Sequence, residues 1–229
     1  MKRLFPILGV ITAVLLSYAL YEALVAAPTE KTMGDVQRIF YYHVPSAWTA
    51  FLLFTINFVA SVLYLIRRSS VADAIAVVTA EVGVVFCTVV LVTGPLWARP
   101  VWGIWWTWDV RLTSTLVLWL IYVSYLMLRR FSTSGQTPLL AAVLAVFGAL
   151  DVPLVYFSIW YFRTQHPQPV IGGGGSIDPH MLHVLLINWI AFLCFAFLVC
   201  WSRYRLERLR REVEEMQSLE SMLESRGVR

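Results

Sequence analysis

AIAVVTAEVGVVFCTVVLVTGPLWARPVWGIWWTWD, Ala74 to Asp109, is the stretch that decides the fold. Segment 74–97 carries a single charge, Glu81. At 1.5 Å per residue a helix of that length crosses the roughly 30 Å of hydrocarbon in a bilayer. After Arg99 and Pro100 the composition changes to WGIWWTWD, with four tryptophans before an aspartate. Tryptophan concentrates where hydrocarbon meets water. The stretch therefore reads as a membrane span that ends in an aromatic interface.

The rest of the chain agrees. Of its 229 residues, 59% are hydrophobic and 14% charged, against about 25% charged in soluble domains. Mean hydropathy is +0.70. The net charge of +4 is modest, and most basic residues flank apolar runs, so they read as topology signals with no nucleic-acid partner. Cys87, Cys194 and Cys200 lie in apolar segments without a CxxC pair or a CxxCH. No zinc site, thiol relay or covalent haem attachment is indicated. The apolar run from Leu4 to Tyr21 exceeds the roughly 7–15 residues of a signal-peptide core, and reads as a retained first span.

Six spans are predicted: 4–26, 47–66, 74–97, 112–128, 138–160 and 181–201, the fifth kinked at Pro153. Lys2 and Arg3, Arg67 and Arg68, Arg129 and Arg130, and the arginines from Arg203 to Arg211 alternate with connections poor in positive charge. The positive-inside rule makes the arginine-rich side cytoplasmic. The expectation is an all-α integral membrane protein with six transmembrane helices and both termini cytoplasmic. Residues 1–202 form the membrane domain, with the tryptophan-rich segment at 97–112 on the outer face. The glycine run at 172–175 marks a flexible outer loop. Residues 203–229 form a separate cytoplasmic tail. There Leu206, Leu209, Val213, Met216 and Met222–Leu223 follow steps of three and four. That pattern predicts an amphipathic helix, suited equally to the inner leaflet or to a cytoplasmic partner.

Interfacial anchoring accounts for one or two of the tryptophans. The remainder ask for a ligand. If the run is helical after Pro100, Trp102, Trp105, Trp106 and Asp109 share a face and Trp108 points away, which gives a platform for a flat aromatic molecule. His43, His166, His180 and His183 all fall in or beside the outward connections. A lone interfacial histidine is usually just solvated. Imidazoles from two loops beside an indole platform could instead clamp haem iron from both faces. Arg38, Arg99, Arg111 or Arg163 could meet its propionates. Asp109 can cap the fourth span, and with Arg111 can also fix the loop beneath the haem. Glu81 and Asp151 lie within spans, where an ionisable group is costly unless paired or turned inward. Structural contacts or contacts to a partner subunit account for them, and a haem or proton route is the sharper alternative.

WGIWWTWDVRLTS resembles the tryptophan-rich signature of the haem-handling membrane proteins of cytochrome c maturation. With HVPSAW and six spans, the sequence is similar to the CcmC family from about Val36 to Trp201. The resemblance implies haem b held non-covalently at the periplasmic face. Its two axial ligands fall on His43 and His166, with His180 as the alternative to His166. Trp102, Trp105, Trp106, Trp108, Asp109, Arg111, Arg99 and Arg38 form the surrounding site. It also implies partners: the haem chaperone CcmE, the ATPase CcmA, the membrane subunit CcmB, the small protein CcmD, and the lipid bilayer itself. No nucleophile or acid–base set of its own is apparent, so haem presentation is expected rather than catalysis. A b-type electron-transfer cytochrome and a small-molecule permease subunit are the alternatives. The first asks for histidines at mid-span, the second for broken spans around a midplane site.

Overall fold

A computed structural model describes residues 4–169 and 177–227. Lys2, Arg3 and the glycine run 172–175 lie outside the described residues. Among the described residues seven α-helices make up the six spans: α1 (Leu4–Tyr21), α2 (Phe40–Arg67), α3 (Ser70–Trp102), α4 (Val110–Phe131), α5 (Thr137–Ala149), α6 (Asp151–Tyr161) and α7 (Pro179–Gly227). The apolar windows of all six are long enough to cross a membrane. A π-helical turn, Glu22–Ala26, extends α1, and a 3-10 turn, Asp35–Ile39, leads into α2.

Three boundaries bear on the sequence reading. The second span starts well before residue 47: Pro45 is the sixth residue of α2, inside the helix, and leaves the Tyr41 carbonyl without an N–H partner there. The fifth span is interrupted at one residue, Leu150, three residues before the Pro153 expected to kink it, and Leu150 itself keeps right-handed helical dihedrals. Leu150 bonds back to Phe147 (3.2 Å), and Pro153 offers no N–H to the carbonyl of Ala149. The amphipathic helix expected from residue 203 continues the sixth span. α7 passes residues 202 and 203 without interruption, because nothing in WSRYRLERLRREV breaks a helix and arginine, leucine and glutamate all favour one.

α2 and α3 form the most extensive pairing, joined by a tight turn in which Arg68 takes a left-handed conformation (φ 52°). Gly83 makes their approach possible, since a Cβ there would lie 2.7 Å from Phe54 Cε1. Phe54 in turn stacks on Tyr122 of α4 at 3.9 Å. The far ends of α2, α4 and α7 carry the arginine clusters. There Asp73 receives two bonds from Arg129 (2.9 and 2.6 Å) and one from Arg211 (2.8 Å). Glu81 is held by Arg203 at 2.8 and 2.7 Å, so its charge is paired. Asp151 is not matched in the same way: its Oδ2 is buried without a hydrogen-bond partner.

Candidate functional site

The opposite end of the bundle brings two histidines and three tryptophans around a cavity of about 210 Å³. Its walls include His43, Trp97, Trp102, Trp106, Arg111 and His166. The sequence reading found all of these except Trp97 as site residues.

His43 stands on the first turn of α2, 7% exposed. Its Nδ1 lies 2.9 Å from Thr93 Oγ1 on α3. That hydroxyl already donates to the Val89 carbonyl at 2.6 Å, so towards the imidazole it can only accept. In the neutral ring the proton is therefore on Nδ1, and Nε2 keeps its lone pair. His166 reaches the same state by another route. Its Nδ1 is 2.9 Å from the carbonyl of Pro167, which can only accept. Among the described residues neither Nε2 has a hydrogen-bond partner. Two imidazoles thus enter one cavity with their ligating nitrogens free and their other nitrogens anchored, which is the outer-shell arrangement that orients metal-bound histidine. Their ring centroids are 6.4 Å apart, with planes inclined at 35°. Two imidazoles on one metal, each with a metal–nitrogen bond of about 2 Å, would need ring centroids about this far apart. Gly94 lies beside His43, where a Cβ would stand 3.5 Å from its Cε1.

Among the described residues no group of three or more His, Cys, Asp or Glu side chains could hold a metal ion. A porphyrin supplies four ligands of its own and needs only two from the protein, so the residues present fit haem better than a bare cation. The cavity is smaller than pockets that enclose whole ligands, roughly 300–1,000 Å³. It opens past Trp106 towards a shallow apolar groove formed by Leu91, Pro95, Trp106, Trp108 and Leu116. Among the described residues the buried indole N–H groups of Trp97 and Trp106 have no acceptor. Both can donate to a ligand.

The tryptophan run is not helical after Trp102, contrary to the one-face expectation. α3 stops there because Gly103 takes a left-handed conformation (φ 77°), with Arg99 bonded to its carbonyl. Residues 103–109 form an irregular loop that aims its indoles separately. Trp106 turns into the cavity, whereas Trp105 (56% exposed) and Trp108 (76%) face outward. Asp109 caps α4 through Leu112 N–H (2.9 Å), and its other oxygen accepts from Thr107 (3.0 Å), Thr164 (2.7 Å) and the Gln165 N–H (3.4 Å). Thr164 also accepts from His166 N–H at 3.1 Å. The charge that closes the tryptophan run thus ties that loop to the loop carrying His166. Burial pulls the Asp109 carboxyl upward, but the bonds from Leu112, Thr164, Thr107 and Gln165 hold it below the usual carboxylate range. Burial, with the nearby Arg111 charge, pushes the His166 imidazole down to about 4.

Arg111 spans from α4 to α6, where one guanidinium nitrogen bonds the carbonyls of Val155 (3.1 Å) and Tyr156 (3.4 Å). Its other nitrogens remain for an anionic ligand. Arg38 and Arg99 are not among the cavity walls. Arg38 bonds the carbonyls of Ala23 (2.9 Å) and Ala27 (3.2 Å) and pairs with Asp35. Arg99 closes its own helix end. His180 points elsewhere, with Nε2 3.4 Å from Glu22. Thr93, Thr164, Gly94 and Trp97 escape sequence reasoning. A threonine in an apolar span gives no sign that it anchors a histidine fifty residues away.

Comparison with known proteins gives the same direction. The family model described as CcmC, heme exporter protein C, matches residues 1–219. The chain is 36% identical to heme exporter protein C of Bradyrhizobium diazoefficiens, over 96% of this chain and 84% of the relative. It is 31% identical to heme exporter protein C of Escherichia coli K12, over 87% and 82%. A putative cytochrome c biosynthesis ccmC-like mitochondrial protein of Arabidopsis thaliana is 34% identical, over 81% and 70%.

Proposed function

The chain belongs to the CcmC family of heme exporter proteins, and from that premise we propose that it binds haem b, as cargo, between His43 and His166 and presents it to the chaperone CcmE. The family places the protein in the membrane and in haem handling for cytochrome c maturation. One observation supports the ligand pair above all others: two imidazoles 6.4 Å apart line one cavity, each anchored at Nδ1 and open at Nε2. Trp102 and Trp106 cover the edge of the ring, and Arg111 meets a propionate. Asp109 holds the His166 loop in place. The arginine asymmetry supports a cytoplasmic location for Arg67, Arg129 and Arg203, which puts the haem site on the periplasmic side of the inner membrane. CcmA, CcmB and CcmD are the partners in the haem export complex. The porphyrin brings the chemistry of hand-over, and this chain supplies orientation and exclusion of water.

Spectra of purified protein with added haem test the ligand pair. His43→Ala and His166→Ala should each convert a six-coordinate low-spin spectrum to a five-coordinate one and lower haem retention, while His180→Ala should leave the spectrum unchanged. A low-spin spectrum surviving in either variant would remove that residue from the pair. A reporter fused after Arg130 should behave as cytoplasmic; external behaviour would reverse the orientation.

A further inference from the structure

The last turns of α7 leave the bundle and present a face that the fold does not use. Arg203 holds Glu81, Arg211 holds Asp73 and the Ser70 carbonyl (3.0 Å), and Glu207 bonds Arg211 at 2.7 Å. These three clamp residues recur every four positions and share the side of α7 that faces α3. Leu206, Leu209, Val213, Met216, Leu219 and Leu223 follow steps of three and four along roughly the opposite side. All six are exposed, from 46% at Val213 to 68% at Leu223. The clamp therefore fixes the rotation of the helix so that its apolar stripe looks away from the bundle.

Charge is divided along the same helix. Arg203, Arg205, Arg208, Arg210 and Arg211 crowd the turns next to the bundle. Between residues 212 and 224 every charge is acidic: Glu212, Glu214, Glu215, Glu220 and Glu224. Glu212 and Glu214 receive bonds from Arg208 (3.3 Å) and Arg210 (2.8 Å) one turn back. At about 100° per residue, Glu212, Glu220 and Glu224 fall within or beside the apolar stripe.

We propose that residues 212–224 are a docking helix for a water-soluble protein whose apolar groove is rimmed by lysine and arginine. The helix continues a spanning helix without a break, so residues 212–224 carry the stripe about 20 Å beyond the last clamp. Helices that lie on membranes carry lysine and arginine on their polar face, and anionic headgroups repel this run of glutamates. A second copy would set the same acids against each other along a parallel pair. An amphipathic helix with acids along its apolar edge fits a basic groove.

The test uses the full-length protein. A photo-crosslinking residue replaces Met216 on the stripe or Ser218 off it, in native membranes, and mass spectrometry locates the adduct. Met216 should capture one soluble protein, at an apolar segment flanked by lysine or arginine, and Ser218 should not. Changing Glu212, Glu220 and Glu224 together to lysine should cut the adduct about tenfold or more, and reversing the charges of the captured segment should restore it. In nanodiscs containing phosphatidylglycerol, a fluorophore at Leu219 should escape quenching by brominated lipid. Quenching there would overturn the proposal. So would an adduct with lipid or a second copy of the chain, capture insensitive to charge reversal, or no adduct at Met216.

Discussion

Asp109→Asn removes one charge and reverses the polarity of one atom, and the structure says which contacts fail. If the amide oxygen stays on Leu112 N–H, the cap survives, because asparagine caps as well as aspartate. The amide nitrogen then replaces Oδ2 against Thr107, Thr164 and Gln165. The two hydroxyls can turn to accept. The Gln165 N–H cannot, and faces a donor. Hydrogen bonds to a charged acceptor contribute about 1.5–3 kcal/mol each and neutral ones about 1. The carboxylate is partly solvated, so the low end of both ranges applies. Weakening the tie between the two loops by about 1.5 kcal/mol lets His166 wander, and haem affinity should fall about tenfold. Haem titration followed at the Soret band measures this. Melting temperature should change little, since the cap and the apolar core are untouched. Thr164→Val should weaken binding in the same sense but less, and should add almost nothing when combined with Asp109→Asn, because both changes cut one link. Wild-type affinity in Asp109→Asn, or additive losses in the double variant, would refute the reasoning.

Acidification should work through His166. Its folded pKa of about 4 lies below the roughly 6.5 of an unfolded histidine, so the unfolded chain takes up the proton first. This residue's contribution to stability is intact above about pH 6.5 and falls as pH drops towards 4. Melting temperature against pH should show that loss in the wild type and a shallower one in His166→Asn. Trp106→Ala should lower haem retention severalfold by removing a cavity wall and a free N–H donor, whereas Trp105→Ala, outside the cavity, should not; retained haem per protein after gel filtration distinguishes them. Asp73→Asn leaves the buried Arg129 without its carboxylate partner, at a cost of about 3–5 kcal/mol. It should lower the melting temperature by several degrees without altering the haem spectrum of the surviving folded protein.

Span number, and the segments that meet at the cavity, could be read in the sequence because they rest on strong local signals. Hydrocarbon thickness selects long apolar runs, and HVPSAW and WGIWWTWD are unusual enough to stand out. Where Trp105 and Trp106 point could not be read. That depends on Gly103 ending α3, and a glycine inside a tryptophan run reads equally well as space beside a helical face. Arg38 was a reasonable propionate candidate by location, yet its donors are taken by carbonyls at the π-helical turn, a distortion without a sequence signature. The tail had the composition of a helix and no signal to separate it from α7. Its orientation required knowing that Arg203 and Arg211 reach acids on α3.

The interruption at Leu150 gives the two imidazoles unequal support. His43 rides on α2, a long helix packed along α3. His166 lies in the loop after α6, sixteen residues beyond Leu150, where Pro153 offers no N–H to the Ala149 carbonyl. A small swing there would carry His166 away from the cavity and leave His43 where it is.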